Sequence, residues 1–576
     1  GKYQRSETQV SVQKLPVLNG FTNTASIMAY GYNPFITSWS PFHGAEYAII
    51  EACSKVVAAG GRYDKMRFSY QEYFERMHNE KSWGKPLACL LGALKMQVEL
   101  GLPSIGGKDS MSGTFENISV PPTLVSFAIT ASDVHDVMTP EAKEAGHILA
   151  EVQIKKDQFR VFDFDHLQKQ YDAIQDLMKQ KKIYSAYTVK DGGVIEAVCK
   201  MAFGNGLGAA FNTDHTLASY VEKNYGNIIV EVKSEKDLTG LDYRVVATLN
   251  DSEKFSYGMD AISIQEAYAI NKAPLESVYP TREKAPTQDI KVAECKTRST
   301  LKAKQYIETP LVVIPVFPGT NCEYDSKRAF EKAGAKVELV LIRNKTEEML
   351  KTSIDELENA IKRANIVMLP GGFSAGDEPD GSGKFIATVL RNPRLKAAIS
   401  DLLDNRDGLM IGICNGFQAL ITLGLRPYGE IRDMSENDAT LTFNTIGRHL
   451  SQFVDTRIGS VKSPWLANVN VGDVHVIPIS HGEGRFVAPK EVIDELFANG
   501  QVFSQYVDPN RKVTMQTPYN PNGSMYAIEG IVSRDGRVLG KMGHSERQGE
   551  NRFKNVYGEM DQKLFEAGVN YFRGGK

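Results

Sequence analysis

"DGLMIGICNGFQALITLGL", residues 407–425, decides how the second half of this chain folds. "LMIGI" is a short apolar run typical of a buried strand, and "FQALITLGL" is apolar at helical spacing. Cys414 lies between them, on a strand-to-helix turn flanked by Gly412 and Gly416. Open α/β sheets place their sites at such turns, where helix N–H groups favour a thiolate and can stabilise an oxyanion. Cys414 is therefore either a nucleophile or a small buried hydrophobe.

The residues around this turn repeat a strand–helix–strand pattern. "PLVVIPVF" (310–317) predicts a buried strand, and "TEEMLKTSIDELENAIKRA" (346–364) predicts a long amphipathic helix before the strand "NIVMLPGG" (365–372). Such repetition predicts a doubly wound parallel sheet with helices on both faces. From residue 440 onward the segments are strand-like, including "VHVIPIS", "MYAIEGIV" and "VLGKMG", and predict an antiparallel addition to this α/β core.

The first half of the chain predicts an α+β fold. "GAEYAIIEACSKVVAA" (44–59) and "SWGKPLACLLGALKMQVELG" (82–101) predict helices, and "TLVSFAITA" (123–131) predicts a strand. The pattern changes near residue 137, and residues 283–309 are polar and lack sustained apolar periodicity. We therefore expect subdomains over 1–136 and 137–282, a linker over 283–309 and a second domain over 310–576.

Composition excludes several classes of protein. The 576 residues are 42% hydrophobic and carry a formal net charge of -3, with no basic block, which argues against nucleic acid as a partner. No apolar run is long enough to span a membrane, and none marks a signal peptide. Six scattered cysteines without metal-ligand spacing indicate reduced thiols, so we expect a cytoplasmic protein. No metal ligand set follows from the sequence.

Two further stretches turn Cys414 into a candidate nucleophile. "LPGGFSAGDE" (369–378) places Gly371 and Gly372 directly after a predicted strand, where their N–H groups can face a reacting oxygen. "KMGHSERQG" (541–549) separates His544 from Glu546 by two positions, so that both side chains can face one pocket. A thiol, an imidazole base and an orienting carboxylate form a catalytic triad.

These motifs resemble those of a known family. "PGGFSAGD", "GICNGFQAL" and "GHSER" are similar to the signature blocks of class I glutamine amidotransferases. "VFPGTNCEYD" and "SHGEGRF" narrow the resemblance to phosphoribosylformylglycinamidine synthases, and "GGKDSMSG" (106–113) and "KDGGVIEAV" (190–198) resemble the synthetase portion of that family. One departure is Gly543–His544–Ser545, where relatives usually have Pro-His-Pro.

The resemblance implies roles for individual residues. Cys414 would be the nucleophile, His544 the base and Glu546 its partner. The oxyanion and glutamine site would comprise Gly371, Gly372, Phe373, Asn415, Gly416, Gln418 and His481. His481 is the alternative candidate for the base. Comparison with the family's motifs favours His544 as the base and places His481 in the lining of the site.

It also implies a reaction and an architecture. The complete enzyme hydrolyses glutamine and uses the ammonia for the ATP- and Mg²⁺-dependent amidation of formylglycinamide ribonucleotide in purine biosynthesis; glutamine hydrolysis itself needs no cofactor. The chain resembles only the second synthetase repeat, of the aminoimidazole ribonucleotide synthetase type, plus the class I glutaminase. We therefore expect an upstream synthetase half, in the same chain or another subunit. The alternatives are a γ-glutamyl hydrolase of the same fold and a non-catalytic scaffold fragment.

A nucleotide site in the first half is the last expectation. Lys108, Asp109 and Ser110 can hold a phosphate on a glycine-rich loop, although an ordinary glycine turn with a salt bridge is the alternative. By the resemblance Glu51 and Asp191 also belong to this site, while Lys55 and Thr188 replace the Asn and Asp that ligate magnesium in relatives. Because an ammonium cannot ligate a metal, we expect nucleotide binding here to depend little on magnesium, or the site to be empty. A solvated Lys55 on a helix face is the alternative.

Overall fold

The computed structural model describes residues 3–17, 20–281, 290–374, 383–549, 552–553 and 556–574. The chain divides into two units, Gly1–Ser277 and Val278–Lys576. Among the residues described, no helix combines the length and the apolar character needed to cross a membrane.

The first sheet of the first unit has the strand order β1-β2-β7-β3-β4 and is antiparallel except for the β3–β4 pair. Two predicted helices are confirmed in α2 and α3, which begin at Ser40 and Asn79 side-chain caps; α3 ends at Gly101, whose φ is +64°. The elements are β1 (Ser11–Lys14), β2 (Thr24–Gly31), α1 (Pro34–Trp39), α2 (Pro41–Ala58), β3 (Arg67–Tyr73), α3 (Glu80–Leu100), β4 (Ser104–Ser110), β5 (Thr114–Phe115), β6 (Ile118–Ser119) and β7 (Thr123–Asp133).

The second sheet of this unit has the order β14-β13-β10-β12-β8-β11-β9. The chain passes from one sheet to the other between Asp133 and Ile148, which brackets the predicted change of pattern. The elements are β8 (Ile148–Val152), α4 (Phe164–Lys179), β9 (Ile183–Thr188), α5 (Gly193–Phe203), β10 (Gly208–Phe211), α6 (Leu217–Tyr220), β11 (Ile228–Val232), β12 (Tyr243–Asn250), β13 (Lys254–Tyr257), β14 (Asp260–Ser263) and α7 (Ile264–Glu276).

A nine-stranded sheet of order β16-β15-β17-β18-β25-β24-β23-β20-β21 organises the second unit. The elements are β15 (Leu311–Val316), α8 (Glu323–Lys332), β16 (Lys336–Leu341), α9 (Glu347–Arg363), β17 (Ile366–Leu369), α10 (Lys384–Leu390), α11 (Pro393–Ser400), β18 (Leu409–Ile413), α12 (Asn415–Thr422), α13 (Leu425–Tyr428), β19 (Thr440–Thr442), β20 (Leu450–Ile458), β21 (Val474–His481), β22 (Arg485–Val487), α14 (Lys490–Ala498), β23 (Val502–Val507), β24 (Ile528–Val532), β25 (Val538–Lys541) and α15 (Leu564–Phe572).

The parallel part of this sheet is buried on both faces. On β17, Ile366 and Met368 belong to one apolar cluster, which includes residues of α15, while Val367 and Leu369 belong to a second cluster with residues of α9 and α11. Alternate side chains of one strand thus enter opposite layers, as a parallel sheet with helices on both sides requires. The predicted fold class, an α+β portion followed by a doubly wound domain, is confirmed.

One prediction about strand pairing is wrong. "VLGKMG" was expected in the antiparallel addition, but β25 lies in the middle of the sheet and pairs in parallel with β18, with Ile413 opposite Lys541. Only its other neighbour, β24, is antiparallel. The reason is that the apolar β18 needs a neighbour on each side, and β25 fills that place although it is far away in the sequence. As a consequence, the residues after β18 and after β25 meet at one sheet edge.

The polar segment before the second domain follows the surface of the second unit wherever it is described. Cys295 exchanges backbone hydrogen bonds with Gly459 and Val461, and Ile307 donates its N–H to the Phe572 carbonyl at 2.8 Å. Ala293 is buried, whereas Val292 is exposed. Residues 283–289 of the expected linker lie outside the described residues.

Candidate active site

Cys414 occupies the turn between β18 and α12. Its φ is +53°, a left-handed conformation that is rare for a non-glycine residue, and its side chain is 5% exposed. A Cβ on Gly416 would lie 1.9 Å from the Leu369 carbonyl oxygen, so only glycine lets α12 begin this close to β17. The turn therefore fixes the thiol at the carboxyl edge of the parallel strands.

His544 and Glu546 follow β25 at the same edge. His544 Nδ1 lies 2.6 Å from Glu546 Oε1, so the ring donates Nδ1–H to the carboxylate, and Nε2 has no hydrogen-bond partner among the described residues. Burial opposes a charged ring, but the Glu546 carboxylate and the Cys414 sulfur outweigh it and raise the pKa of His544 well above its usual value. A buried imidazolium beside a thiol is the arrangement that activates a cysteine nucleophile.

Gly371 is the point on which these groups converge. A Cβ built there would lie 2.8 Å from His544 Cε1 and 3.4 Å from Cys414 Cβ. The next residue, Gly372, has a φ of +145° and is packed against the Gly319 carbonyl, which also accepts the Phe373 N–H at 2.8 Å. The two glycines thus bring the backbone of this loop against both the thiol and the imidazole. The following residues of the motif, 375–378, lie outside the described part of the chain.

Two polar residues of the predicted glutamine site, Asn415 and Gln418, follow Cys414 on α12. The Asn415 side chain accepts the Ser374 N–H at 3.2 Å and donates to Gln418 Oε1 at 3.0 Å, while Gln418 donates to the Glu483 carbonyl at 2.6 Å. Their amides therefore tie α12 to the loops on either side of it.

His481 lies at the end of β21, next to Ser480, whose carbonyl is 3.6 Å from Cys414 Sγ. Its Nδ1 is 3.2 Å from Asn444 Oδ1, and its Nε2 has no partner among the described residues. Burial, with the nearby His544 and His449, lowers the pKa of His481 to about 3. His481 is therefore a neutral ring without a carboxylate to orient it, unlike His544.

The unit that contains these residues is similar to known glutamine amidotransferases. Residues 309–572 match the family of CobB/CobQ-like glutamine amidotransferase domains. The chain is 34% identical over 277 residues to phosphoribosylformylglycinamidine synthase subunit PurQ of Methanococcus maripaludis, which covers 46% of this chain and 95% of the relative. PurQ of Aquifex aeolicus is 34% identical over 236 residues, covering 41% of this chain and 90% of the relative.

The chain belongs to the phosphoribosylformylglycinamidine synthase family. Its second unit is the glutamine-hydrolysing part, and the predicted enzyme class and role in purine biosynthesis are confirmed. The matches favour neither the γ-glutamyl hydrolase nor the scaffold.

Solved structures are also similar to parts of the chain. PurLQS from Thermotoga maritima has 28% identity and a TM-score of 0.33, covering 46% of this chain and 99% of that one. Phosphoribosylformylglycinamidine synthase II from Thermotoga maritima has 15% identity and a TM-score of 0.39, covering 51% of this chain and 52% of that one.

Sequence reasoning missed a second thiol in this synthase site. Cys322 Sγ lies 3.9 Å from His544 Nδ1 and accepts a hydrogen bond from Arg547 Nη2 at 3.1 Å. The Cys322 sulfur, one imidazole nitrogen of His544 and one carboxylate oxygen of Glu546 all lie within 4.8 Å of one another. The available signal was that Cys322 follows β15, another strand ending at the same sheet edge.

In the first unit, part of the predicted nucleotide site forms a charged cluster. Lys55 Nζ lies 2.7 Å from both Glu51 Oε1 and the Tyr30 carbonyl. Asp191 is held by Asn33, and Lys190 Nζ lies 3.8 Å from Glu51. Burial lowers the pKa of Lys55, although Glu51 opposes this. Lys55 is 4% exposed, so the solvated alternative is wrong.

The other part of that predicted site has a different structure. Lys108, Asp109 and Ser110 belong to β4, an edge strand, and the Lys108 and Asp109 side chains are exposed. The expectation of a glycine-rich loop or turn is therefore wrong: residues 106–110 are extended because they pair with β3. Among the described residues, no hydrogen bond or ion pair joins them to Glu51, Lys55 or Asp191.

Proposed function

We propose that Cys414, His544 and Glu546 carry out glutamine hydrolysis in this synthase. The main support for this proposal is the His544–Glu546 hydrogen bond of 2.6 Å. It engages Nδ1, so Nε2, which has no hydrogen-bond partner among the described residues, can exchange a proton with the thiol. Glu546 fixes the ring and stabilises its charged form, as the carboxylate of a triad does.

The proposed chemistry follows from these positions. The Cys414 thiolate attacks the side-chain carboxamide carbon of glutamine, and His544 gives a proton to the departing ammonia. Water, deprotonated by His544, then cleaves the thioester and releases glutamate. Backbone N–H groups at Gly371, Gly372 and the start of α12 would stabilise the oxyanion.

The test of this assignment is Cys414→Ala in the whole chain. We expect loss of glutamine hydrolysis, because no other thiol lies at the turn, while a reconstituted synthase still uses free ammonia. The matched control is Cys295→Ala, a cysteine of the same unit outside the site. Retained hydrolysis in the Cys414 variant would remove the residue from the mechanism.

The first unit is proposed to be the second synthetase repeat, which acts with an upstream half on formylglycinamide ribonucleotide. ATP and Mg²⁺ would serve that amidation, not the hydrolysis of glutamine. The cytoplasm is the proposed location, because six unpaired cysteines suit a reducing compartment.

An exposed apolar surface on α3 supports this partner. Its side chains recur every three or four residues and therefore form one stripe: Trp83, Leu87, Leu90, Leu94 and Val98, each at least 50% exposed. β4 forms a sheet edge in the same unit, and an edge strand can pair with another chain along its outer side. A stripe of this length is typical of a surface that another folded unit covers. We propose that the upstream synthetase half covers it.

A further inference from the structure

Behind the proposed catalytic base lies a buried lysine that the mechanism does not use. Lys541, the last residue of β25, is 0% exposed. Its ammonium donates to Ser545 Oγ and to Gln562 Oε1, each at 2.7 Å, and lies 3.6 Å from Glu529 Oε1. A buried ammonium is costly unless it is paired and hydrogen-bonded, and here three groups provide those interactions.

The same network holds the residues on both sides of His544. The Gly543 N–H donates to Glu529 Oε1 at 2.8 Å, and the Ser545 hydroxyl also lies 2.7 Å from Gln562 Oε1. A Cβ on Gly543 would lie 2.7 Å from Ile477 Cγ2 and 3.0 Å from Glu529 Oε1. Proline at these two positions would have neither the N–H nor the hydroxyl. The Gly-His-Ser sequence thus connects the loop to buried charges.

We infer that Lys541 is a positioning residue for His544, which holds the loop 543–546 and offsets the charge of Glu546. Glu529 lies 3.6 Å from this ammonium, and the loop that the ammonium anchors through Ser545 carries the buried carboxylate of Glu546 as its next residue. Without the ammonium, nothing in this network would offset the negative charges of the two carboxylates. The lysine therefore limits how strongly the triad holds its proton.

Several titratable or charged groups face this network from the elements packed against it. They are Glu529 on β24, His475 and His481 on β21, Tyr506 on β23, Cys414 at the start of α12, Cys322 at the start of α8, and Glu546 and Arg547 in the loop itself. His544, in the same loop, is the proposed catalytic base, so its titration reports the charge of Lys541.

Removing this positive charge should shift the pH dependence of the activity in a defined direction. Loss of this cation favours the protonated imidazole, so the pKa of His544 rises and the basic limb of the kcat/KM profile against pH, where His544 loses its proton, moves to higher pH. We expect a shift of about one pH unit in Lys541→Met. Because the loop also loses its anchor, kcat falls roughly 10- to 100-fold at an unchanged KM.

The experiment measures glutamine hydrolysis against pH for the whole chain and three further variants. In Lys541→Met/Glu529→Gln both charges are gone, and the glutamine amide still accepts the Gly543 N–H. The basic limb returns to its wild-type position, while kcat stays low. Ser545→Ala removes one hydrogen bond without changing charge, so the limbs stay in place. Lys462→Met is the matched control: this lysine donates to the Asn499 carbonyl.

Two results would overturn the inference. One is a folded Lys541→Met variant whose basic limb stays in its wild-type position. The other, which decides the matter if that variant does not fold, is a double variant with wild-type kcat. The inference rests on the proposed triad, but different results would contradict each. Glutamine hydrolysis retained in Cys414→Ala would contradict the triad. An inactive Cys414→Ala variant together with an unshifted basic limb in Lys541→Met would contradict only the role of Lys541.

Discussion

At the scale of single residues, the backbone at Cys414 is strained where the chemistry is proposed to occur. A left-handed φ on a non-glycine residue costs about 1–3 kcal/mol and persists only where its surroundings enforce it. Here the Cys414 N–H donates to the Lys541 carbonyl at 2.8 Å, and Gly416 allows α12 to pack onto β17. The strain presents the sulfur at the sheet edge, which a relaxed extended residue would not do.

The Glu546 carboxylate can be tested without disturbing the position of its partner. In Glu546→Gln the amide oxygen still accepts the Nδ1–H, but the negative charge that raises the pKa of His544 is lost. The pKa of His544 should therefore fall, and the basic limb of the activity profile should move to lower pH. By analogy with triads that lose this charge, we expect kcat to fall about 10²- to 10⁴-fold. Glu491→Gln, on the exposed face of α14, is the control; an unchanged basic limb in Glu546→Gln would contradict the assignment.

Lys55 gives a second prediction at this scale. Its ammonium is paired with Glu51 at 2.7 Å, so a positive charge already occupies the place proposed for a metal. Calorimetric titration with ADP should therefore detect no magnesium-dependent binding by the wild-type chain. Lys55→Asn, which frees Glu51 as an oxygen ligand, should gain binding that excess chelator removes. Tight wild-type binding that is lost with the chelator would show that Lys55 does not replace a metal.

At the scale of elements, the sequence predicted what local periodicity determines and missed what distant pairing determines. Strands β15, β17 and β18 and helix α9 have strong local patterns, and so does the strand-to-helix turn that carries Cys414. The parallel pairing of β25 with β18 depends on residues more than a hundred positions apart, and no local pattern encodes it. For the same reason, Lys541 reads as an ordinary surface lysine in "LGKMG", and Cys322 as a structural thiol.

Strand β3 carries a buried carboxyl that makes the stability of the first unit depend on pH. Burial, and to a lesser degree Asp109, raise the pKa of Glu72 to about 7, and Glu72 Oε1 has no partner among the described residues. Because the folded pKa is raised, its contribution to stability is complete below the unfolded pKa of about 4.3 and is lost as pH rises through about 7.

Glu72→Gln should therefore stabilise the first unit at pH 8 relative to wild type, by less than the roughly 3.5 kcal/mol of the full pKa shift, because solvent screens part of this charge. At pH 4 the variant and the wild type should differ much less, because Glu72 is then protonated in both states. Urea unfolding at the two pH values measures this, with the exposed Glu99→Gln as control. An equal effect of Glu72→Gln at both pH values would mean that the carboxyl does not titrate as described.

At the scale of the whole molecule, the chain joins a glutaminase unit to a unit with an uncovered apolar helix. A glutaminase that releases ammonia with no acceptor present wastes glutamine, so coupling between the two activities is useful to such an enzyme. The proposed partner surface on α3 lies in the unit that does not contain Cys414. Stimulation of the triad by a partner bound at α3 would therefore couple the two units of the chain.

We accordingly expect glutamine turnover by this chain to be low alone and to rise when the upstream synthetase half and its nucleotide substrates are added. A coupling free energy of about 1–3 kcal/mol, the size typical of linked sites, corresponds to a change of about 5- to 150-fold. The measurement compares glutamate release with and without the added half. Leu94→Asp places a charge in the middle of the α3 stripe and should abolish the stimulation while leaving the low basal rate unchanged. Lys81→Asp, at an exposed position of the same helix outside the stripe, leaves the apolar side chains intact and serves as its control. Equal rates with and without the partner would show that hydrolysis is not gated, and stimulation that survives Leu94→Asp would place the partner on a different surface.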